Sequence, residues 1–171
     1  WKVEAFDTNG FVTVSSNTYL FRVNEENEHP YAFDLSASSG IVTTSRPYLS
    51  WQASIDPDPG DTVHYRIYYS QFEDFSASTT VSGISETYYS IEEDLIENAT
   101  YWWFAESYDA EGLSTASDSI WVLRINAVEE HPFSFNLVSP LDGTTVYATK
   151  RPVFEWEASA DPDPGDYVTY T

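Results

Sequence analysis

The sequence contains no cysteine and no methionine, and only seven lysines and arginines together. Without cysteine there is no disulfide, no thiolate nucleophile and no thiolate metal ligand, and the redox compartment is left open. The few cations face 28 aspartates and glutamates, so the formal charge is −21. A surface this acidic disfavours nucleic acid and anionic membranes, whose phosphates are bound through Lys and Arg. No apolar run approaches the roughly 18 residues that cross a bilayer, so no membrane insertion is expected within this segment. No leader peptide is visible and the first residue is Trp1, which reads as an interior portion of a longer or processed chain. High net charge can keep a chain unfolded, but aromatic residues make up 17% of this one. That supply of large apolar side chains is enough to build a core.

What the sequence does contain is a repeat. Asp56-Pro57-Asp58-Pro59-Gly60-Asp61 returns unchanged as Asp161-Pro162-Asp163-Pro164-Gly165-Asp166, 105 positions later. The match extends from Arg46–Arg66 to Arg151–Thr171, with Trp51 on Trp156, Val63 on Val168 and Tyr65 on Tyr170. Residues 1–30 align with 103–132 at an offset of 102, placing Trp1 on Trp103, Asp7 on Asp109, Gly10 on Gly112 and His29-Pro30 on His131-Pro132. The three-residue difference is absorbed between 36 and 45. Self-similarity at a fixed period marks a repeat architecture. The expected organisation is the C-terminal part of one unit in 1–26, a complete unit in 27–128, and the N-terminal part of a third in 129–171.

Every readable segment of the complete unit has strand character. Leu49, Trp51 and Ala53 alternate with polar or outward positions, as do Val63, Tyr65, Ile67 and Tyr69. Tyr101, Trp103, Ala105 and Ser107 do the same, and Trp121, Leu123 and Ile125 close the unit. Alternation with period two, broken by Gly, Pro and Asp, is the signature of half-buried strands. Only Glu92–Glu97 offers room for a single helical turn. About seven strands in some 100 residues predict an all-β fold of the β-sandwich kind.

The unit resembles a fibronectin type III domain, an immunoglobulin-like β-sandwich, of the kind found in tandem in large bacterial extracellular proteins. The resemblance rests on Trp51 on the second strand, on Leu95 followed six residues later by Tyr101, and on Trp103, Ala105 and Asp109-Ala110-Glu111-Gly112-Leu113-Ser114. It covers the chain as three pieces. The Asp-Pro-Asp-Pro-Gly-Asp turn and the Trp102-Trp103 pair match a bacterial-type subgroup, and no Arg-Gly-Asp triplet implies integrin binding. The resemblance implies that the acidic turn lies at the pole where the chain enters the unit, next to the preceding linker.

Four groups of residues bear on function. Asp56, Asp58 and Asp61, with Asp161, Asp163, Asp166, Glu129 and Glu130, are candidate calcium ligands at the junctions, because calcium takes six to eight oxygens. Glu25, Glu26 and Glu28 on the linker, and Asp109 and Glu111, would add to them. The competing explanation is that the prolines alone stiffen the turn and aspartate caps it locally. Second, His29 and His131 precede proline at the same repeat position, which reads as a structural joint. Third, Tyr68, Trp102, Phe104 and Tyr108 share the outward parity of neighbouring strands. They form either a contact surface for protein or glycan or a set of rings that cover one another. Fourth, Asn98-Ala99-Thr100 fits a glycosylation acceptor.

Nothing marks an activated serine or a pair of catalytic carboxylates. The expectation is therefore a non-catalytic structural repeat of an extracellular or cell-surface protein: a rod, an adhesin stalk or an extracellular filament. Its partners would be other copies or neighbouring repeats. The alternative is an accessory carbohydrate-binding or spacer module of a secreted polysaccharide-degrading enzyme.

Overall fold

The computed structural model describes residues 1–147 and 151–171. The described residues form strands, turns and irregular connections with no helix. None of them, accordingly, is part of a helix long and apolar enough to cross a membrane.

Two sheets face one another across one buried cluster. The smaller sheet has the order β3 (Leu35–Ala37), β5 (Tyr48–Trp51), β8 (Tyr88–Ser90). The larger runs β4 (Gly40–Val42), β11 (Trp121–Ile125), β9 (Thr100–Tyr108), β6 (His64–Ser70), β7 (Thr79–Ile84), with β10 (Ser114–Ala116) also on β9. Period-two alternation decides which side chains meet. Tyr65 and Ile67 of β6 and Tyr101, Trp103 and Ala105 of β9 are buried, while Arg66, Tyr68, Trp102, Phe104 and Glu106 are half-buried on the other face. Leu35, Leu49 and Trp51 from the smaller sheet complete the core with Phe33, Ile91, Leu95, Leu123 and Ile125. Trp51 and Trp103 thus lie in the same interior.

Two details differ from the expectation, and one more was not anticipated by it. The first strand is interrupted: Ser38 (φ 72°) and Gly40 (φ 79°) turn the chain so that β3 joins one sheet and β4 the other. This crossing falls inside 36–45, where the repeats differ in length. The inward parity of β5 ends at Trp51, because Ala53 is exposed and Ser54 is buried, its N–H held by the Tyr65 hydroxyl at 2.8 Å. Glu92–Glu97 contains no helical turn. Instead Ile96 N–H donates to the Tyr101 hydroxyl at 3.2 Å, closing the corner before β9.

The flanking segments repeat fragments of this pattern. β1 (Glu4–Phe6) pairs with β2 (Val12–Val14) antiparallel, Glu4 opposite Val14, as Glu106 is opposite Ala116 in β9–β10. β12 (Leu137–Ser139) pairs with β13 (Glu155–Trp156) with Leu137 opposite Trp156. Leu35 is opposite Trp51 in the same way, and both pairs shift register at the next position. In these segments the equivalent apolar side chains are open to solvent. Trp1 is 60% exposed where Trp103 is 0% exposed.

Candidate metal centres at the acidic turns

Each acidic turn is held by its own aspartates. Asp56 Oδ1 accepts from Asp58 N–H (2.8 Å), and Asp61 N–H donates to the Asp58 carbonyl (3.3 Å). Asp161 Oδ1 accepts from Asp163 N–H (3.0 Å), and Asp166 N–H donates to the Asp163 carbonyl (3.2 Å). Carboxylates that accept from a backbone N–H two residues on form Asx turns, and Pro at the intervening position fixes φ. Gly60 and Gly165 close the turns at φ 106° and 98°, a region closed to most L-residues.

The turns are also tied to the linkers that precede them. Glu28 N–H donates to Asp58 Oδ2 at 2.7 Å, and Glu130 N–H donates to Asp163 Oδ2 at 2.9 Å. The central aspartate of both turns is only 3% exposed. The Glu28 carboxyl is driven above the usual carboxylate range by hydrogen bonding to and repulsion from the Asp58 carboxylate. At Glu130 the Asn98 amide lowers the pKa, but Asp163, burial and the nearby Glu97 outweigh it and the net shift is upward.

Three groups of carboxylates bring one oxygen each to within 4.8 Å of the others: Asp56, Asp58 and Asp61; Glu97, Glu130 and Asp163; and Glu129, Asp163 and Asp166. Of the eight candidate ligands Asp56, Asp58, Asp61, Asp161, Asp163, Asp166, Glu129 and Glu130, all but Asp161 fall in one of them, whereas Glu25, Glu26, Glu28, Asp109 and Glu111 fall in none. Glu97 was not among those candidates. Its Oε1 accepts from Ala127 N–H (2.9 Å) and Val128 N–H (3.3 Å), some thirty residues away, so no local pattern marks it. Asn98 joins the same network through Nδ2, which donates to Glu130 Oε2 at 3.1 Å.

The two central aspartates differ in their second oxygen. With its amide turned so that nitrogen faces acceptors, Asn126 donates to Asp163 Oδ1 at 2.9 Å. Asn24, the repeat equivalent of Asn126, is exposed, and Asp58 Oδ1 is buried without a hydrogen-bond partner among the described residues. Among the same residues, Asp56 Oδ2 is buried and without a partner as well.

Asp109, one of the expected contributors, is engaged elsewhere. Asp109 Oδ1 accepts from Gly112 N–H (2.6 Å) and Leu113 N–H (2.8 Å), and its Oδ2 accepts from Asn27 Nδ2 (2.8 Å). It is therefore a turn cap and linker anchor. Asp7 caps the equivalent turn, accepting from Phe11 N–H at 2.8 Å. His29 Nδ1 meets the Ser114 carbonyl at 2.9 Å, tying the linker to β10.

The four outward aromatics lie side by side across β6 and β9, with Tyr68 opposite Phe104, Ser70 opposite Trp102 and His64 opposite Tyr108. Tyr68 and Phe104 stack with centroids 4.6 Å apart, and Phe75 meets Phe104 edge-on at 4.9 Å. The Arg66 guanidinium sits 5.0 Å from the centre of the Tyr108 ring. Arg66 Nε also donates to Glu106 Oε2 at 2.5 Å, and Glu106 accepts from the Tyr68 hydroxyl (3.0 Å) and the Ser114 hydroxyl (2.6 Å). Burial raises the Glu106 pKa, but these three donors outweigh it and leave it below the usual range.

No protein-family model and no curated protein matches the chain. Among solved structures it is similar to the alpha-L-rhamnosidase from Dictyoglumus thermophilum. The identity is 14%, and the TM-score of 0.43 covers 71% of this chain and 16% of that enzyme's chain.

Proposed function

We propose that this chain is a non-catalytic structural segment of a large extracellular or cell-surface protein, in which fibronectin type III-like sandwiches follow one another through short acidic joints. Residues 27–128 are the complete unit, and 1–26 and 129–171 are parts of its neighbours. The observation that carries this reading is the linker-to-turn hydrogen bond made twice, by Glu28 on Asp58 and by Glu130 on Asp163. A bond from the linker to the first turn of the next unit fixes the angle at which that unit begins. The grip of Glu97 and Asn98 on 127–130 holds the same linker from the other side. Two sheets of the order described, with the Tyr101 corner, support the fibronectin-like assignment.

Small-angle X-ray scattering tests the joint. The intact chain is expected to be elongated with a narrow distance distribution. Asp163→Ala should broaden that distribution while leaving the unfolding of the central core unchanged. A compact particle, or a variant indistinguishable from the parent, refutes the rigid-joint reading.

The half-exposed Tyr68–Phe104 stack supports a second reading, an accessory carbohydrate-binding module of a secreted enzyme. Binding on a glycan array that disappears in a folded Trp102→Ala variant would favour it. Absence of binding to every glycan removes it.

A further inference from the structure

The first acidic turn has an electrostatic problem that its own atoms do not solve. Asp56, Asp58 and Asp61 each bring a carboxylate oxygen within 4.8 Å of the others. Asp58 is 3% exposed, and its Oδ1 is buried without a hydrogen-bond partner among the described residues. Asp56 Oδ2 is in the same condition. A buried carboxylate oxygen with no donor costs on the order of 1–3 kcal/mol, and more where charge is involved. The segments that form this joint, 23–30 and 54–62, contain no lysine or arginine. The one histidine there, His29, is occupied with the Ser114 carbonyl.

We propose that the turn Asp56–Asp61 binds a hard divalent cation, calcium by its ligand chemistry, through the carboxylates of Asp56, Asp58 and Asp61. The donors are all oxygens, with no thiolate or imidazole, which excludes the preferences of zinc and copper. They are also fixed by prolines and Asx hydrogen bonds, in an arrangement set by the turn and not by an octahedron. Calcium accepts irregular shells of six to eight oxygens at about 2.3–2.6 Å, whereas magnesium demands near-ideal geometry at about 2.0–2.1 Å. A groove lined by Asn24, Glu25, Glu26, Glu28 and Asp58 opens beside the turn and gives water and the ion a way in. The second turn is not assigned a site, because Asp163 already accepts from Glu130 N–H and from the Asn126 amide. Binding itself does not require the spacer reading above. Only its purpose, stiffening the joint between residues 24–28 and the turn, rests on that reading.

Calorimetric titration of the chelator-treated chain with calcium chloride tests the site, with magnesium chloride at equal ionic strength as the comparison. Saturable calcium binding is expected, weakened about tenfold or more by Asp58→Asn and by Asp61→Asn, since ligand charge tunes calcium affinity. The Asp61 carboxylate accepts no hydrogen bond among the described residues, so Asp61→Asn separates ligand loss from misfolding. Asp118→Asn removes the same charge from an exposed position and should leave binding unchanged. Absence of saturable heat, equal response to both salts, or the same affinity in all three variants each overturns the proposal. So does binding that follows Asp163→Asn in place of Asp58→Asn. Calcium binding in a chain whose scattering shows a loose joint would refute the rigid spacer and keep the site.

Discussion

Trp103 and Trp1 occupy the same repeat position, 102 residues apart, and a matched substitution at the two should separate repeat identity from structural role. Trp103 is fully buried in β9, and its indole N–H donates to the Ser38 carbonyl at 2.9 Å across the sheet crossing. Trp103→Phe removes that hydrogen bond from the carbonyl of half-buried Ser38, a loss of about 0.5–1.5 kcal/mol. It also deletes ring volume worth roughly two buried methylenes, at about 0.8 kcal/mol each, plus a cavity term because a packed interior relaxes only in part. Together these give about 2–4 kcal/mol, less than the roughly 5–15 kcal/mol by which a folded protein is stable, so the variant should still fold. Trp1 is 60% exposed and touches Tyr19 with centroids 5.7 Å apart. Trp1→Phe should cost less than about 0.5 kcal/mol, as exposed substitutions do. Urea unfolding followed by far-UV circular dichroism reads both, with an unchanged slope in denaturant showing that the unfolded ensemble is the same. Equal costs at the two positions, or a Trp103→Phe midpoint that does not move, would refute the placement of Trp103 at the centre of a single shared core.

Three further substitutions probe the turns and the outer face. Gly165→Ala forces a side chain onto φ 98° and brings its Cβ to 2.9 Å from Ile41 Cδ1, whereas Gly60→Ala at φ 106° meets open space. Both should lose about 1–2 kcal/mol from the backbone. The Gly165 variant should additionally loosen the contact with β4, seen as faster amide exchange around Ile41. On the outer face, the Glu106 pKa is depressed, so its contribution to stability is present above the ordinary glutamate value near 4.5 and is lost as pH falls through the folded-state value. Glu106→Gln should therefore destabilise the protein by about 1 kcal/mol at neutral pH and less in acid. Denaturation midpoints at the two pH values check this, and a constant difference across pH would sink it.

Strand parity was the most legible property of this sequence, because a half-buried strand must alternate. β9 sorts its side chains in the way its sequence predicts, down to Ser107 on the buried side, and β6 does so through Tyr68, after which Tyr69 is half-buried and Ser70, of outward parity, is buried. The acidic turn was legible for a similar reason: proline, glycine and aspartate act on their nearest backbone neighbours. Legibility ended where a side chain answers to something distant. Glu97 lies in a stretch with no distinguishing pattern, yet it caps Ala127 and Val128. Asp109 is acidic and near the joint, but Gly112 and Leu113 draw its carboxylate inward. The sheet crossing at Ser38 and Gly40 left a trace only as a place where the repeats change length. Asp161 shows the limit of repeat transfer, since Asp56 joins a three-carboxylate group and Asp161 joins none among the described residues.

The two copies of the turn also show what each part of the fold requires of its residues. Between Pro47 and Trp51 the strand changes from Tyr-Leu-Ser to Val-Phe-Glu in its repeat, yet the pairing with the first strand keeps the same register. A strand asks only for an apolar side chain at alternate positions, and Leu49 and Phe154 both satisfy that. The turn keeps all six residues. There one oxygen of the first aspartate meets a backbone donor two residues away, and one oxygen of the central aspartate meets a donor on the linker thirty-odd residues back; glutamate in place of either aspartate would overreach its donor. Yet the surroundings of the identical hexapeptides have diverged: Asn126 meets Asp163, and its counterpart Asn24 stands in solvent. If Asn24 swung inward, it would supply Asp58 Oδ1 with the same amide and leave less need for a cation. Asn24→Ala therefore discriminates between the two ways of satisfying that oxygen. It should leave calcium affinity unchanged if the ion is the partner, and raise it if the amide competes for the same atom.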